Sequence, residues 1–196
     1  MAPKESEGAG SASDRRVISS LPTPTLETPR FTMRKLVRED TAALFPTLSD
    51  PEQCKYMLSP AFETEEKLGD WLCNPEWNGR SWSAIELSTG ELVARIVAVP
   101  CEHETAEIGY ITVRDRQGEG IAFECTQRLL KQLFEVEDHH RVFAITDPRN
   151  TGSNRLVEKL GFRREGHFLE NIKTHIGWCD EYYWGLLASE WHKRLG

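Results

Sequence analysis

The sequence has 196 residues with 24 Lys and Arg against 31 Asp and Glu, a formal charge of −7, which describes one acidic globular domain rather than two. With 39% hydrophobic and 28% charged residues, the composition excludes a collagen, a coiled coil and a wholly disordered chain, and a sizeable core can be buried. The acid excess leaves no basic surplus for a nucleic-acid backbone, and the most apolar stretch, 92–99, is short and broken by Arg95, so neither nucleic acid nor a membrane is an expected partner.

Residues 1–29 are rich in Ser, Thr, Pro, Gly and Ala and read as a disordered tail that cannot offset its own ordering entropy, with the folded domain expected over 30–196. Glu5, Glu7 and Asp14 fit poorly with a transit peptide, while Arg15-Arg16 leaves a weak organellar alternative. A strand is predicted over 31–36, followed by a helix capped by Asp40, whose carboxylate can accept orphan N–H groups. A second helix fits 64–72, with Leu68, Trp71 and Leu72 on one face and Asn74-Pro75 ending it. Strands over 81–87 and 91–99, joined through Ser88-Thr89-Gly90, form a hairpin, and a third over 105–113 completes an antiparallel meander.

Beyond the meander the order becomes helix 120–134, strand 141–146, helix 153–160, and two strands near Phe168 and over 181–187. This order predicts an α+β fold, a mixed and mostly antiparallel sheet with helices on both faces. Ala122, Cys125, Leu129 and Leu133 recur at helical spacing and form a core-facing stripe. His139-His140 reads as a surface turn, and Glu102-His103-Glu104 lacks the spacing of a metal site, so no metal is expected. Five scattered cysteines without a C-x-x-C pair fit reduced thiols in a cytoplasmic protein.

The segment from Glu107 to Ala122 carries the chemistry, because a strand ends there and a helix begins across a turn containing Gly118 and Gly120. Such a turn directs free backbone N–H groups and the positive end of the helix dipole at one point, where a pyrophosphate can bind. An ordinary strand-to-helix turn is the alternative reading. Neither Gly-Lys-Ser nor Gly-Lys-Thr follows, and the third glycine of a dinucleotide fingerprint is missing, which leaves a nucleotide-containing ligand of another kind.

Gln117-Gly-Glu-Gly120-Ile-Ala122 resembles the Q-x-x-G-x-A loop of the GNAT superfamily of acyl-CoA N-acyltransferases. Asn150-Thr-Gly-Ser153 with Glu158-Lys-Leu-Gly161-Phe162, the opening 28–34, and Asp180-Glu-Tyr-Tyr183 with Glu190-Trp191 are similar to its RimJ/RimL-like branch. The resemblance covers 28–191 and implies direct transfer of an acetyl group from acetyl-CoA to a primary amine, on a small molecule or a protein N-terminus, by a monomer or homodimer. It implies that Arg116, Gln117, Gly118, Glu119, Gly120, Ile121 and Ala122 hold the CoA pyrophosphate, and that a bulge at Ile111, Thr112 and Val113 frees main-chain groups for the pantetheine. A weak CoA-binding or interaction module of the same fold, or a transferase of another acyl-CoA, are the alternatives.

Three residues are candidates for catalysis. Glu107 is the candidate base, since burial raises a carboxylate's pKa toward neutrality; the alternative is a solvent-facing strand residue. Asn150 can cap a helix or hydrogen-bond pantetheine, and Ser153 can start that helix or donate to the leaving thiolate. Many relatives carry a tyrosine seven positions after the asparagine; Val157 stands here and leaves Ser153 or a water. Phe62, Trp71, Trp77, Trp82 and Trp178 are read as core or as acceptor-pocket walls, and Glu63, Glu65 and Glu66 as a solvated face. Gly161 is expected to end its helix in a left-handed turn that returns Phe162 to the core.

Overall fold

The computed structural model describes residues 22–195. A two-residue strand, β1 (Leu26–Glu27), leads into β2 (Phe31–Lys35), and a 3-10 turn precedes helices α1 (Thr41–Leu48), α2 (Pro51–Cys54) and α3 (Glu65–Leu72). The meander follows as β3 (Arg80–Glu86), β4 (Leu92–Cys101) and β5 (Thr105–Thr112). Helix α4 (Ile121–Lys131) then crosses to β6 (Arg141–Thr146), α5 (Thr151–Leu160) leads to the hairpin β7 (Arg163–Thr174) and β8 (Gly177–Leu187), and α6 (Ala188–Leu195) follows.

The eight strands among the described residues form one sheet in the order β1-β2-β3-β4-β5-β6-β8-β7, antiparallel everywhere except between β5 and β6. Helices cover both faces. Cys125 and Leu129 of α4, with Leu133 just beyond its end, pack with Phe31, Trp82 and Ile96 in the larger core, while Leu44 and Leu48 of α1 join Leu68 and Leu72 of α3 in the smaller one. The α4 stripe is therefore buried as expected, except that Ala122 is half-buried beside a cavity.

Four local expectations change. Of the expected tail, 1–21 lie outside the described residues, but the sheet begins before Arg30: Leu26 pairs with Met33 in the core, and Pro24 O accepts the Trp82 indole N–H at 2.7 Å. Asp40 makes no side-chain cap to α1; its buried carboxylate instead accepts from Arg34, Ser83 and the Val37 N–H, which outweigh its desolvation and hold its pKa low. The helix expected over 120–134 gives way to a π turn at Gln132–Val136, closed by Glu137 N–H donating to Gln132 O at 3.1 Å. His139 is buried rather than a surface residue, with Nδ1 3.3 Å from Leu133 O, and burial lowers its pKa.

The α5 end is as expected. Gly161 adopts φ +97°, and Phe162 N–H donates to Val157 O at 3.0 Å while its ring enters the core. Thr64 caps α3 by accepting from Lys67 N–H at 3.3 Å, which fixes the helix that lies across the smaller core.

Candidate active site

The single parallel contact decides where a cleft opens. β5 and β6 pair only through Thr105↔Arg141, Ala106↔Val142 and Glu107↔Phe143, and beyond these residues β5 continues to Thr112 beside β4 alone. Main-chain groups along the parted edges of 108–112 and 144–146 thus have no strand partner across the gap. The bulge expected at Ile111, Thr112 and Val113 is not the cause of this splay. The β4 register runs without a shift from Cys101↔Thr105 to Ala94↔Thr112, so the strands part on the β6 side instead.

A cavity of about 650 Å³ fills the gap. Ile111, Thr112, Arg116, Gln117, Gly118, Gly120, Ile121, Ala122, Asn150 and Ser153 border it, which brings together most residues singled out in the sequence. Val113 does not border it and packs in the smaller core, and Glu119 does not either: its carboxylate pairs with Arg116 at 2.9 Å. Arg116 is also held by Glu86 at 2.7 Å, and these two carboxylates raise its pKa. Gln117 donates to Gln53 Oε1 at 2.7 Å, tying the turn to α2.

At the glycine turn, Gly118 has φ +84° and Gly120, the residue before α4, has φ +77°. A Cβ on Gly118 would meet nothing within 4 Å, and one on Gly120 only Arg30 Nη2 at 3.7 Å. Packing therefore does not demand these glycines. Their backbone conformation does, and it aims the unpaired N–H groups of the first α4 turn at open space, where the helix dipole favours an anion. Arg155 and Lys159, one helical turn apart on α5, border the same cavity and add two exposed cations.

Asn150 caps α5, its Oδ1 accepting from Ser153 N–H at 3.1 Å. The Ser153 hydroxyl lies 2.7 Å from the hydroxyl of Tyr110, which is also 3.2 Å from Ser153 O. Burial pushes the Tyr110 pKa up to about 12, so the phenol stays protonated and can donate. Val157 is fully buried and has only a packing role. Tyr110, missed in the sequence, supplies a second hydroxyl beside Ser153. Period-2 alternation in β5 puts it on the face of Ala106 and Ile108, but its partner lies 43 residues away.

A second cavity of about 550 Å³ adjoins the first, and Tyr56, Met57, Ile145, Thr146 and Asp147 border both. Glu107 borders this second cavity with Asp147, Asp180 and Glu181, against, among the described residues, a single cation, Lys55. Burial and then the Glu181 charge raise the Glu107 pKa. Trp71 is on its wall; Trp82 is core, Trp178 is exposed, and Phe62 packs on Trp71 with ring centroids 5.3 Å apart. Glu63, Glu65 and Glu66 are exposed and border neither cavity. Among the described residues no His, Cys, Asp and Glu group has metal-holding geometry, and no helix is long and apolar enough to cross a membrane.

Residues 30–163 match the family model described as "Acetyltransferase (GNAT) domain". The chain is 31% identical over 169 residues to the uncharacterized N-acetyltransferase YnaD of Bacillus subtilis, covering 85% of this chain and 99% of that one. A crystal structure of a GNAT-family acetyltransferase from Bacillus anthracis is 33% identical and superposes with a TM-score of 0.79 over 85% of this chain and all of that one, 100%. The spermidine N-acetyltransferase of Vibrio cholerae, solved with CoA and spermine, shares the fold at 20% identity, with a TM-score of 0.73 over 84% of this chain and 99% of that one.

Proposed function

This chain belongs to the GNAT acetyltransferase family and is an acyl-CoA-dependent acetyltransferase, and from that premise we propose that it moves an acetyl group from acetyl-CoA to a primary amine in one ternary complex. The observation that carries the reading is the pair of adjoining cavities along β5, one lined by the glycine turn and the other by acids around Glu107. The pyrophosphate lies against the 117–122 turn with Arg155 and Lys159 nearby, and the pantetheine extends the sheet in the gap between β5 and β6.

The amine enters the acidic cavity as an ammonium, drawn by Asp147, Asp180 and Glu181. Glu107 takes its proton, directly or through a water, and a raised pKa makes this carboxylate a better-matched base near neutrality. The freed lone pair attacks the thioester carbonyl carbon. A C–N bond forms, the C–S bond breaks, and the departing sulfur carries the electron pair and receives the second proton, which the nitrogen gives up as it becomes the amide. Of the hydrogen-bonded hydroxyls of Tyr110 and Ser153, one donates to the other and the second donates to that sulfur, and Asn150 holds the helix end that carries Ser153. A small-molecule amine and a protein N-terminus both satisfy this chemistry. Five free thiols, three of them buried, accord with a reducing cytoplasm.

The test is thiol release from acetyl-CoA against a panel of amines and short peptides, combined with melting curves. Acetyl-CoA at a hundredfold excess over its dissociation constant stabilises the fold by about 2.7 kcal/mol. Amine-dependent release and a melting shift larger than those from NADH or ATP are expected. Release independent of amine means hydrolysis, and no release with any amine favours the binding-module alternative.

A further inference from the structure

Arg95 is an unusual cation among the described residues. It is 8% exposed, in the middle of the sheet on β4, and borders the larger cavity. Its guanidinium lies 4.7 Å from the ring of Trp71 and 5.5 Å from that of Trp77, and its Nε donates to Ser81 Oγ at 3.1 Å. Arg80, the comparable buried cation of the neighbouring β3, is neutralised by Glu137 at 2.6 Å, and the more exposed Arg34 of β2 by Asp40 at 2.7 Å. Among the described residues no carboxylate reaches Arg95, and burial lowers its pKa to about 10. A buried charge without a counter-ion is costly, and two aromatic faces with one neutral hydroxyl leave the in-plane donors of the guanidinium's Nη atoms unused.

The register places this cation with respect to the chemistry. Arg95 faces Ile111, and Val99 faces Glu107, across the β4–β5 ladder. Positions 95, 97 and 99 share one face of the sheet with 107, 109 and 111, so Arg95 and Glu107 point to the same side, roughly 13 Å apart along the strands. Trp71 borders the acidic cavity while Arg95 borders the cofactor cavity, which puts the cation at the seam between them.

We propose that Arg95 is a specificity-determining residue that receives a carboxylate carried by one of the two reactants. The sources share one chemistry: an amine acceptor with a carboxylate several bonds from its nitrogen, or a dicarboxylic acyl group on the CoA donor. The planar guanidinium presents paired N–H donors in the geometry a carboxylate accepts, and the tryptophans fix that plane before the ligand arrives. This inference rests on the proposed transferase reading, since it assigns the anion to that reaction's own reactants.

The experiment uses intrinsic tryptophan fluorescence, because Trp71 and Trp77 flank the guanidinium and report its occupancy without turnover. The full chain is titrated with 6-aminohexanoate against hexylamine, and with succinyl-CoA against acetyl-CoA. The expected result is at least tenfold tighter binding of the carboxylate member in one pair, which identifies the source. In Arg95→Gln the ratio falls to about one while the neutral member binds as before, and Arg95→Lys, read in the same way, retains part of the preference. Ratios near one for both pairs in the wild type, which need no variant to fold, or a ratio unchanged in either variant, overturn the proposal. Those outcomes leave thiol release with neutral amines intact, whereas failure of the transferase reading removes thiol release with every amine.

Discussion

Removing the Tyr110 hydroxyl tests the least expected part of the site. In Tyr110→Phe, the Ser153 hydroxyl at 2.7 Å and carbonyl at 3.2 Å lose a partner that is mostly buried. Leaving such groups unpaired costs about 1–2 kcal/mol, or about 2–8 °C in Tm for a domain of this size. The catalytic effect is larger if the pair faces the departing sulfur. A preorganised donor is worth about 10²–10³ in kcat, and a water that replaces it lowers this to a loss of between about 10-fold and 100-fold. Ser153→Ala should lose a similar factor, and the double variant little more than either, because the two hydroxyls act as one unit.

The pKa of Tyr110 adds a constraint on the pH profile. A rise from 10 to about 12 corresponds to about 3 kcal/mol against ionisation, so ionisation of Tyr110 is not expected to give a falling limb of activity near pH 10. Its raised folded-state value also means that its contribution to stability is complete below the unfolded value of 10 and is lost as pH climbs through about 12. The assay is thiol release at saturating acetyl-CoA and amine, with CoA affinity measured by calorimetry. Wild-type kcat in Tyr110→Phe, or a double variant whose loss is the product of the single losses, refutes the assignment.

Three further outcomes are expected. Glu107→Gln should lower turnover by roughly 10²–10⁴ with CoA affinity unchanged. Because burial and Glu181 raise the folded-state pKa of Glu107, its stabilising contribution is lost as pH rises through that value, so the Gln variant should melt no lower than wild type at neutral pH and lose any advantage at about pH 4; full activity would remove its role as base. Gly120→Val, forced to φ +77° with its side chain toward the anion site, should weaken acetyl-CoA by about tenfold or more, or about 1.4 kcal/mol, in calorimetry on the folded variant. Gly161→Ala should cost about 1–3 kcal/mol in denaturant melts without changing CoA affinity, since its φ is +97° and the new Cβ displaces the Arg194 guanidinium that donates to Leu160 O at 2.7 Å.

Local chemistry was the part of the fold that the sequence exposed. The β6 bounds at Arg141–Thr146, the Gly90 turn at φ +74° and the Gly161 cap follow from alternation and from glycine's reach into positive φ. What stayed hidden depends on distant partners. Leu26 sits among prolines and threonines and gives no strand signal, yet it is buried because β2 and Trp82 supply the surface it covers. Asp40 looks like a cap, and only folding brings Arg34 and Ser83 to it. The site divides in the same way: Gln117, Gly120, Asn150 and Ser153 lie in turn-and-helix motifs legible in one dimension, whereas Tyr110 gains meaning from Ser153. Arg95, which in the sequence merely interrupts an apolar run, gains it from the register that aligns it with Glu107.

The same register explains why the cavities lie where they do. An antiparallel sheet of this length would pair every backbone group along β5 on both edges, leaving no main-chain donors for a ligand. The α4 crossover imposes a parallel neighbour instead, and β6 stays in contact for only three residue pairs before its path diverges. One consequence is a gap with unpaired backbone on its walls; the other is that α4 must start at the open end of that gap, because it leaves from β5. The glycine turn and the strand-like slot are therefore products of one topological choice, and Glu107 marks the vertex, being the last residue of β5 that still pairs with β6. A substitution that lengthened the β5–β6 ladder would add sheet hydrogen bonds and close the cavity, so on the proposed reading it should raise stability while thiol release falls.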